Sequence, residues 1–168
     1  MLRLSRLSDY AVVVLVRLGQ GAARPASITA GPQRSATTGA IAMAIGVPEP
    51  TVAKVLKALT GAGIVLSRRG ARGGYWLARP MSEISVADVI TAIDGPIALT
   101  ACVDGRGDCE VGHLCAVRGR WDVVNTAVET ALRAVSMADL ADGAIPAAFR
   151  LPPSPALTGH SALPTHVE

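Results

Sequence analysis

Residues 47–77 read VPEPTVAKVLKALTGAGIVLSRRGARGGYWL, and this stretch decides the fold. Pro50 is typical of the first turn of a helix, and Gly61 is typical of a residue that ends one. Between them, an apolar face recurs at helical spacing: Val52, Val55, Leu56 and Leu59. The strand-like runs Ile64–Ser67 and Tyr75–Ala78 follow, separated by a basic, glycine-rich segment. The stretch therefore predicts a helix followed by a β-hairpin with a basic tip.

Two more helices are predicted upstream of this stretch. Thr38–Ile45 forms a short helix that Gly46 ends, only a few residues before Pro50. A first helix runs from a cap at Ser8 to about Leu18, and the Pro-, Gly- and Ser-rich residues 22–35 read as a connection. Two short helices joined by a tight turn predict a helix-turn-helix, whose second helix enters the major groove of DNA.

Polar and basic side chains stand where such a domain contacts DNA. On the second helix, the polar side carries Thr51, Lys54 and Lys57. At the hairpin tip, the candidates for phosphate or minor-groove contacts are Arg68, Arg69 and Arg72. An ordinary helical hairpin with solvated lysines, followed by a turn whose arginines serve solubility, is the alternative. The order of the two parts favours a winged helix over that alternative.

The charge is divided sharply between the two parts of the chain. Residues 1–80 contain eleven Lys or Arg and two acids, a net charge of +9, whereas residues 81–168 contain five and eleven, a net charge of −6. Because neutralisation of phosphates dominates nucleic-acid affinity, only the first part is expected to bind double-stranded DNA.

Beyond the hairpin, three further segments are predicted. The capping-box sequence Ser85–Asp88 opens a short helix through Ile93, which is expected to support the sheet of the wing. A long helix from about Gly119 to Leu140 carries a heptad seam of Trp121, Val124, Val128, Ala131, Val135 and Ala138. Such a seam predicts a homodimer, although packing within one chain is the alternative. From residue 143 onward the Pro-, Ser- and Thr-rich composition predicts a disordered tail.

The three cysteines of the chain lie between those two helices, in residues 97–117, the cysteine segment. Cys102, Cys109 and Cys115 fall within fourteen residues, with gaps of six and five residues between them. Soft thiolates select an iron-sulfur cluster or zinc, and structural zinc sites more often use pairs of cysteines two residues apart. The spacing therefore favours a cluster, with zinc or a metal-free thiol redox switch as alternatives.

The chain resembles the Rrf2 family of winged-helix transcriptional regulators, a group that includes iron-sulfur, nitric-oxide and iron regulators. The resemblance covers roughly residues 1–142 and rests on these segments: MLRLS at 1–5, SDYA at 8–11, PTVAKVL at 50–56, RGARGGY at 69–75 and ISVADVI at 84–90. The segment GPIAL at 95–99 resembles the members that regulate iron-sulfur assembly genes.

The resemblance implies that the cysteines bind a cluster, either 2Fe-2S or 4Fe-4S, and that the long helix forms the dimer. It also implies a repressor that responds to iron, cluster status, oxygen or nitric oxide. The fourth ligand is open, because the position used by a histidine in some relatives is Arg118. Asp9 of the partner subunit matches another pattern of the family. The remaining candidates are a small molecule and three residues within the cysteine segment: His113, Asp108 and Glu110.

These observations predict a mainly α protein with a small β-hairpin wing. The order is a winged helix-turn-helix domain (1–80), a supporting helix (81–96), a cysteine loop (97–117), a dimerisation helix (118–142) and the tail (143–168). An enzyme is not expected, since no redox Cys-x2-Cys pair, nucleophile elbow or phosphate-binding loop is present. No apolar run reaches the roughly twenty residues of a membrane span, and the protein is expected to be cytoplasmic.

Overall fold

The computed structural model describes residues 4–22, 35–70, 73–100, 103 and 119–143, and these residues form a mainly helical domain with a small sheet. In chain order the described elements are α1 (Arg6–Ala22), α2 (Thr38–Ile45), α3 (Glu49–Gly61), β1 (Val65–Arg68), β2 (Gly74–Leu77), α4 (Val86–Asp94), α5 (Trp121–Arg133) and α6 (Met137–Asp142). A short 3-10 helix, Met81–Glu83, lies between β2 and α4. The predicted fold class is confirmed.

Helices α2 and α3 form the predicted helix-turn-helix. The Thr37 hydroxyl accepts a hydrogen bond from the Ala40 N–H at 3.2 Å and caps α2. Gly46 ends the same helix with a φ of 68°, a left-handed conformation that glycine adopts at little cost. The two helix axes are bent by 117° relative to each other, within the usual range for this motif.

Strands β1 and β2 form an antiparallel hairpin in which Val65 pairs with Leu77 and Arg68 pairs with Gly74. Each strand lies one residue from its predicted position, at 65–68 rather than 64–67 and at 74–77 rather than 75–78. The outer edge of β2 is covered by Ala36, whose backbone exchanges hydrogen bonds of 3.0 and 2.9 Å with Tyr75. The residue that follows the predicted connection therefore joins the sheet.

A single apolar core lies among these elements. It is made of small aliphatic side chains, and its fully buried members include Val14, Leu15, Ile41, Val52, Val55, Leu56, Leu59, Ile64, Ile84, Val89 and Met137. The apolar face predicted for α3 supplies four of them, which confirms the spacing argument for that helix. Because Met137 belongs to the same core, the chain returns to the DNA-binding part after the cysteine segment.

The predicted long helix over 119–140 is wrong, because the structure divides it into α5 and α6. At the break, Ser136 caps α6, and its side chain and that of Asp139 form a capping box. The backbone there also pairs with the start of α4: the Val86 N–H donates to Val135 O at 2.9 Å and the Met137 N–H to Ile84 O at 2.8 Å. The heptad pattern of the sequence continues through this position, but these backbone contacts and the burial of Met137 outweigh it.

Two other expectations are corrected. Helix α1 begins before Ser8, because the Ser8 N–H donates to Ser5 Oγ at 3.1 Å and Ser5 takes the capping position. The helix also continues through Gly19, which lies directly against the Met81 side chain. Helix α4 has the predicted capping box, but it packs mainly against α1, α3 and α5 rather than under the sheet.

Within the described residues, no single helix is long and apolar enough to cross a membrane. The bent pair α2 and α3 passes the length and composition test together, but the buried side chains of both helices belong to the protein core. The predicted tail lies outside the described residues, apart from its first residue, Gly143.

Candidate nucleic-acid interface and cysteine segment

The predicted DNA-contacting residues lie on the outer side of the helix-turn-helix. Thr51 is half-buried, whereas Lys54 and Lys57 are exposed on the face of α3 opposite its buried residues. Among the described residues the ion pairs involve Arg79 and Arg133, and neither lysine takes part in one. Both ammonium groups are therefore available to phosphate.

The hairpin carries the second group of predicted contacts. Arg68 ends β1 and Arg69 follows it, and both are exposed. Arg72 lies outside the described residues. Next to the tip, Gly74 has a φ of 144°, and an added Cβ would lie 2.9 Å from Ala36 O. The close approach of Ala36 to β2 therefore requires glycine at this position.

An ion-pair network connects the base of the hairpin with α4 and α5. Arg79 Nη2 lies 3.1 Å from Asp88 Oδ2, and Arg133 Nη1 lies 3.8 Å from Asp88 Oδ1. Arg133 also pairs with Glu129 at 2.6 Å, one helical turn earlier. Partial burial raises the pKa of the Asp88 carboxyl, but hydrogen bonds from Ser85 and the charge of Arg79 hold that pKa below its ordinary value. Asp88 is therefore a structural carboxylate.

The cysteine segment lies largely outside the described residues. This applies to all three cysteines and to the ligand candidates between them: Cys102, Cys109, Cys115, His113, Asp108 and Glu110. Asp9 is exposed in the first turn of α1. The described residues contain no group of three or more His, Cys, Asp or Glu arranged to hold a metal ion. By its chemistry, a set of three thiolates fits an iron-sulfur cluster or zinc.

Residues 94–99, which lead from the end of α4 into the cysteine segment, are held by two polar side chains whose contacts were not predicted. The Ser8 hydroxyl donates to Asp94 Oδ2 at 2.6 Å. Asn125 Nδ2 donates to Ile97 O at 2.9 Å, and Asn125 Oδ1 accepts from the Leu99 N–H at 3.0 Å. A signal was present for Asn125, since a lone carboxamide in an otherwise apolar helix face is typical of a specific buried hydrogen bond.

Helix α5 leaves apolar side chains in contact with solvent. Trp121 is 40% exposed, Val124 45% and Val123 75%, although Asn125 beside them is only 6% exposed. Trp121 and Val124 belong to the predicted heptad seam, whereas Val123 does not. The inner side of α5 thus faces the protein through Asn125, and an apolar surface remains on its outer side.

Comparison with known proteins gives one consistent result. The model of the Rrf2 family, described as iron-dependent transcriptional regulators, matches residues 4–143. An HTH-type transcriptional regulator of Mycobacterium tuberculosis is 35% identical over 146 residues, which is 86% of this chain and 84% of the relative.

Two solved structures share the fold. CymR, the global cysteine regulator of Bacillus subtilis, matches 86% of this chain and 100% of its own with a TM-score of 0.62 and 26% identity. T. potens IscR matches 84% of this chain and 88% of its own with a TM-score of 0.59 and 25% identity. These relatives are transcriptional regulators and not enzymes. With its helix-turn-helix, basic wing and match over residues 4–143, the chain belongs to the Rrf2 family of DNA-binding transcriptional regulators.

Proposed function

We propose that the protein is a cytoplasmic repressor whose DNA binding depends on an iron-sulfur cluster held by Cys102, Cys109 and Cys115. The proposal rests on one observation: the chain leaves the DNA-binding core at α4, passes through all three of its cysteines, and returns to the same core at Met137. A change in the conformation of the cysteine segment can therefore act on the DNA-binding core at both ends of the segment. When bound, a cluster supplies a redox- and iron-sensitive link among the three thiolates.

The fourth ligand is proposed to be a group other than a thiolate. Asp9 is exposed and is therefore free to approach the cysteine segment of a partner subunit, and His113 is the alternative within the segment. An oxygen or nitrogen ligand leaves soft iron more readily than a thiolate does, which suits a sensor. The measured ratio of iron to protein distinguishes a 2Fe-2S from a 4Fe-4S cluster.

DNA is proposed to be contacted by α3 in the major groove and by the hairpin along the backbone or minor groove. The residues assigned to these contacts are Thr51, Lys54, Lys57, Arg68, Arg69 and Arg72. Two copies joined through the outer side of α5 place two such readers on an operator with two-fold symmetry. The signal would be iron, cluster status, oxygen or nitric oxide.

Metal analysis after anaerobic purification tests the sensing half of the proposal. We expect iron and acid-labile sulfide, visible charge-transfer absorption, and loss of all three in the triple variant Cys102→Ala, Cys109→Ala, Cys115→Ala. Operator affinity should differ between the loaded and empty forms at one fixed salt concentration. Zinc in place of iron would instead indicate a structural site, and a response to oxidants without metal would indicate a thiol switch.

A separate measurement tests the DNA-binding half. Lys54→Gln removes one cation from the exposed face of α3 in each of the two copies, so the slope of log affinity against log salt concentration should fall by about 1.8, or about 0.9 per copy. Arg120→Gln is the matched control, because it removes the same charge at the start of α5, away from the helix-turn-helix. Equal slopes in the wild-type protein and Lys54→Gln would remove this residue from the interface.

A further inference from the structure

Among the described residues, two polar side chains belong to residues that are buried as a whole. Ser8 is 1% exposed and Asn125 is 6% exposed, whereas the rest of the buried set is apolar. A buried polar group costs free energy unless it is hydrogen-bonded, so its partner indicates its role. Ser8 and Asn125 bond to three residues of one short stretch: Asp94, Ile97 and Leu99.

The two contacts join this stretch to two different working parts of the molecule. Ser8 belongs to α1, which packs against the helix-turn-helix, and it holds Asp94 at the end of α4. Asn125 belongs to α5 and holds the backbone of Ile97 and Leu99. These partners are separated in sequence by 86 residues for Ser8 and by 26 and 28 for Asn125, so they fix tertiary rather than local structure.

The Asn125 contact is specific in its geometry. One carboxamide donates to a carbonyl and accepts from an N–H two residues further along, so both of its functional atoms are used. A shift of the backbone by about one residue separation breaks both bonds at once, because hydrogen bonds weaken steeply with distance and angle. The contact thus has two distinct states, made and broken, and a two-state element is what coupling between sites requires.

We propose that Asn125 is the positioning residue that transmits the state of the cysteine segment to the outer side of α5, with the Ser8–Asp94 bond holding the other end of the stretch against α1. The inference rests on the proposed sensing function and names the residue through which that function reaches the dimer surface. Movement of Leu99, which shortly precedes Cys102 in the chain, is then linked to the orientation of α5.

The variant Asn125→Leu tests this, because leucine has a similar size and cannot form either bond. We expect its cysteines to take up the same amount of iron and sulfide as the wild type. In the wild type, the loaded and empty forms should differ in operator affinity. In Asn125→Leu this difference should be at least about fivefold smaller, and fivefold is the lower end of typical coupling factors. Thr126→Ala, an exposed neighbour on the same helix, is the matched control and should keep the wild-type ratio.

A role in stability alone predicts a different result, namely a lower melting temperature with an unchanged affinity ratio, and that result would overturn the proposal. If the operator affinity of the wild-type protein changes neither with cluster loading nor with cysteine oxidation, the proposed function and this inference are both overturned. A responsive wild type with an equally responsive Asn125→Leu would overturn this inference only.

A second measurement covers the case in which Asn125→Leu does not fold. In the wild-type protein, exchange of the Leu99 amide hydrogen reports directly on its bond to Asn125. We expect exchange at Leu99 to change at least about fivefold between the loaded and empty forms. The Ala40 N–H, bonded to Thr37 on α2, should exchange equally in both. No change at Leu99 would overturn the coupling.

Discussion

Asp88 shows how one carboxylate organises the junction between the hairpin and the helices behind it. It accepts a hydrogen bond from the Ser85 N–H at 3.1 Å, which completes a capping box, and it pairs with Arg79 and Arg133. The Asp139 carboxyl also completes a capping box, at the start of α6. Hydrogen bonds from the Ser136 hydroxyl and N–H hold the pKa of this carboxyl below its ordinary value. Each pKa is lower in the folded than in the unfolded protein, so each group stabilises the fold while ionised.

The variant Asp88→Asn should therefore lose stability in a pH-dependent way. At pH about 7 it should have a lower free energy of unfolding, by about 1 kcal/mol, since the carboxamide keeps an oxygen acceptor but loses both ion pairs. The stabilisation by an ionised Asp88 is present above the unfolded pKa and is lost as the pH falls through the lower folded pKa. The difference from wild type should therefore shrink as the pH falls from about 7 toward about 2.

Urea unfolding at both pH values measures this difference. The control is Asp142→Asn, which removes an exposed carboxylate that is free of ion pairs in the described part of the chain. It should change stability little at either pH. A difference for Asp88→Asn that is the same at pH about 7 and about 2 would show that charge is not its origin.

At the level of secondary structure, the elements fixed by contacts between residues close in sequence could be predicted, and those fixed by contacts between distant residues could not. The bounds of α2 and the capping box of α4 could be predicted because caps, glycine stops and apolar spacing act within a few residues. The break between α5 and α6 could not, because it depends on backbone bonds from Val135 and Met137 to the start of α4. The Ala36 pairing with Tyr75 could not be predicted for the same reason.

The candidate site divides in the same way. The exposure of Lys54 and Lys57 could be predicted from helical spacing, because the buried residues of α3 lie on its other face. Their contact with DNA stays a prediction, as does that of the hairpin arginines. For Ser8 the sequence predicts a helix cap instead, and its bond to Asp94 crosses 86 residues of sequence. No local pattern reports a contact of that range.

Gly74 provides a test at the edge of the sheet. Gly74→Ala should lower stability by about 1–3 kcal/mol, because the new Cβ would meet Ala36 O and the φ of 144° strains any other residue. Gly61→Ala is the control, since an added Cβ there meets no atom within 4 Å, and alanine favours the helix. Its stability should stay equal or rise by up to about 1 kcal/mol. Equal losses for both variants in urea unfolding would contradict the packing argument.

For the whole molecule, the outer side of α5 is the surface that we propose for dimerisation. In the part of a single chain that the structure describes, nothing covers its exposed apolar side chains, which is the usual sign of an interface. The predicted seam contributes Trp121 and Val124 to this surface, even though the seam does not continue as one helix. A dimer through α5 alone has a shorter interface than the sequence predicts.

Val124→Glu should therefore weaken the homodimer at least about tenfold, equal to about 1.4 kcal/mol, because it places a charge among apolar groups. Sedimentation velocity over a concentration series measures the dissociation constant. Thr126→Glu adds the same charge on another side of α5 and should leave the dimer intact. If both variants stay dimeric at the wild-type concentrations, the interface lies elsewhere.

The backbone bonds between residues 84–86 and 135–137 join the start of α4 to the start of α6, and α4 also packs against α5. The segment that connects α4 with α5 is therefore a loop whose two ends are held by the packed helices. A loop with fixed ends can gain or lose residues while the residues at its ends keep their positions, since closing a longer loop costs only slightly more entropy. The same helical scaffold can thus accept a loop of different length or sequence at this position without a change in the helix-turn-helix. Cleavage of the chain at one site in this loop would therefore leave two fragments that remain associated through the contacts on either side of it.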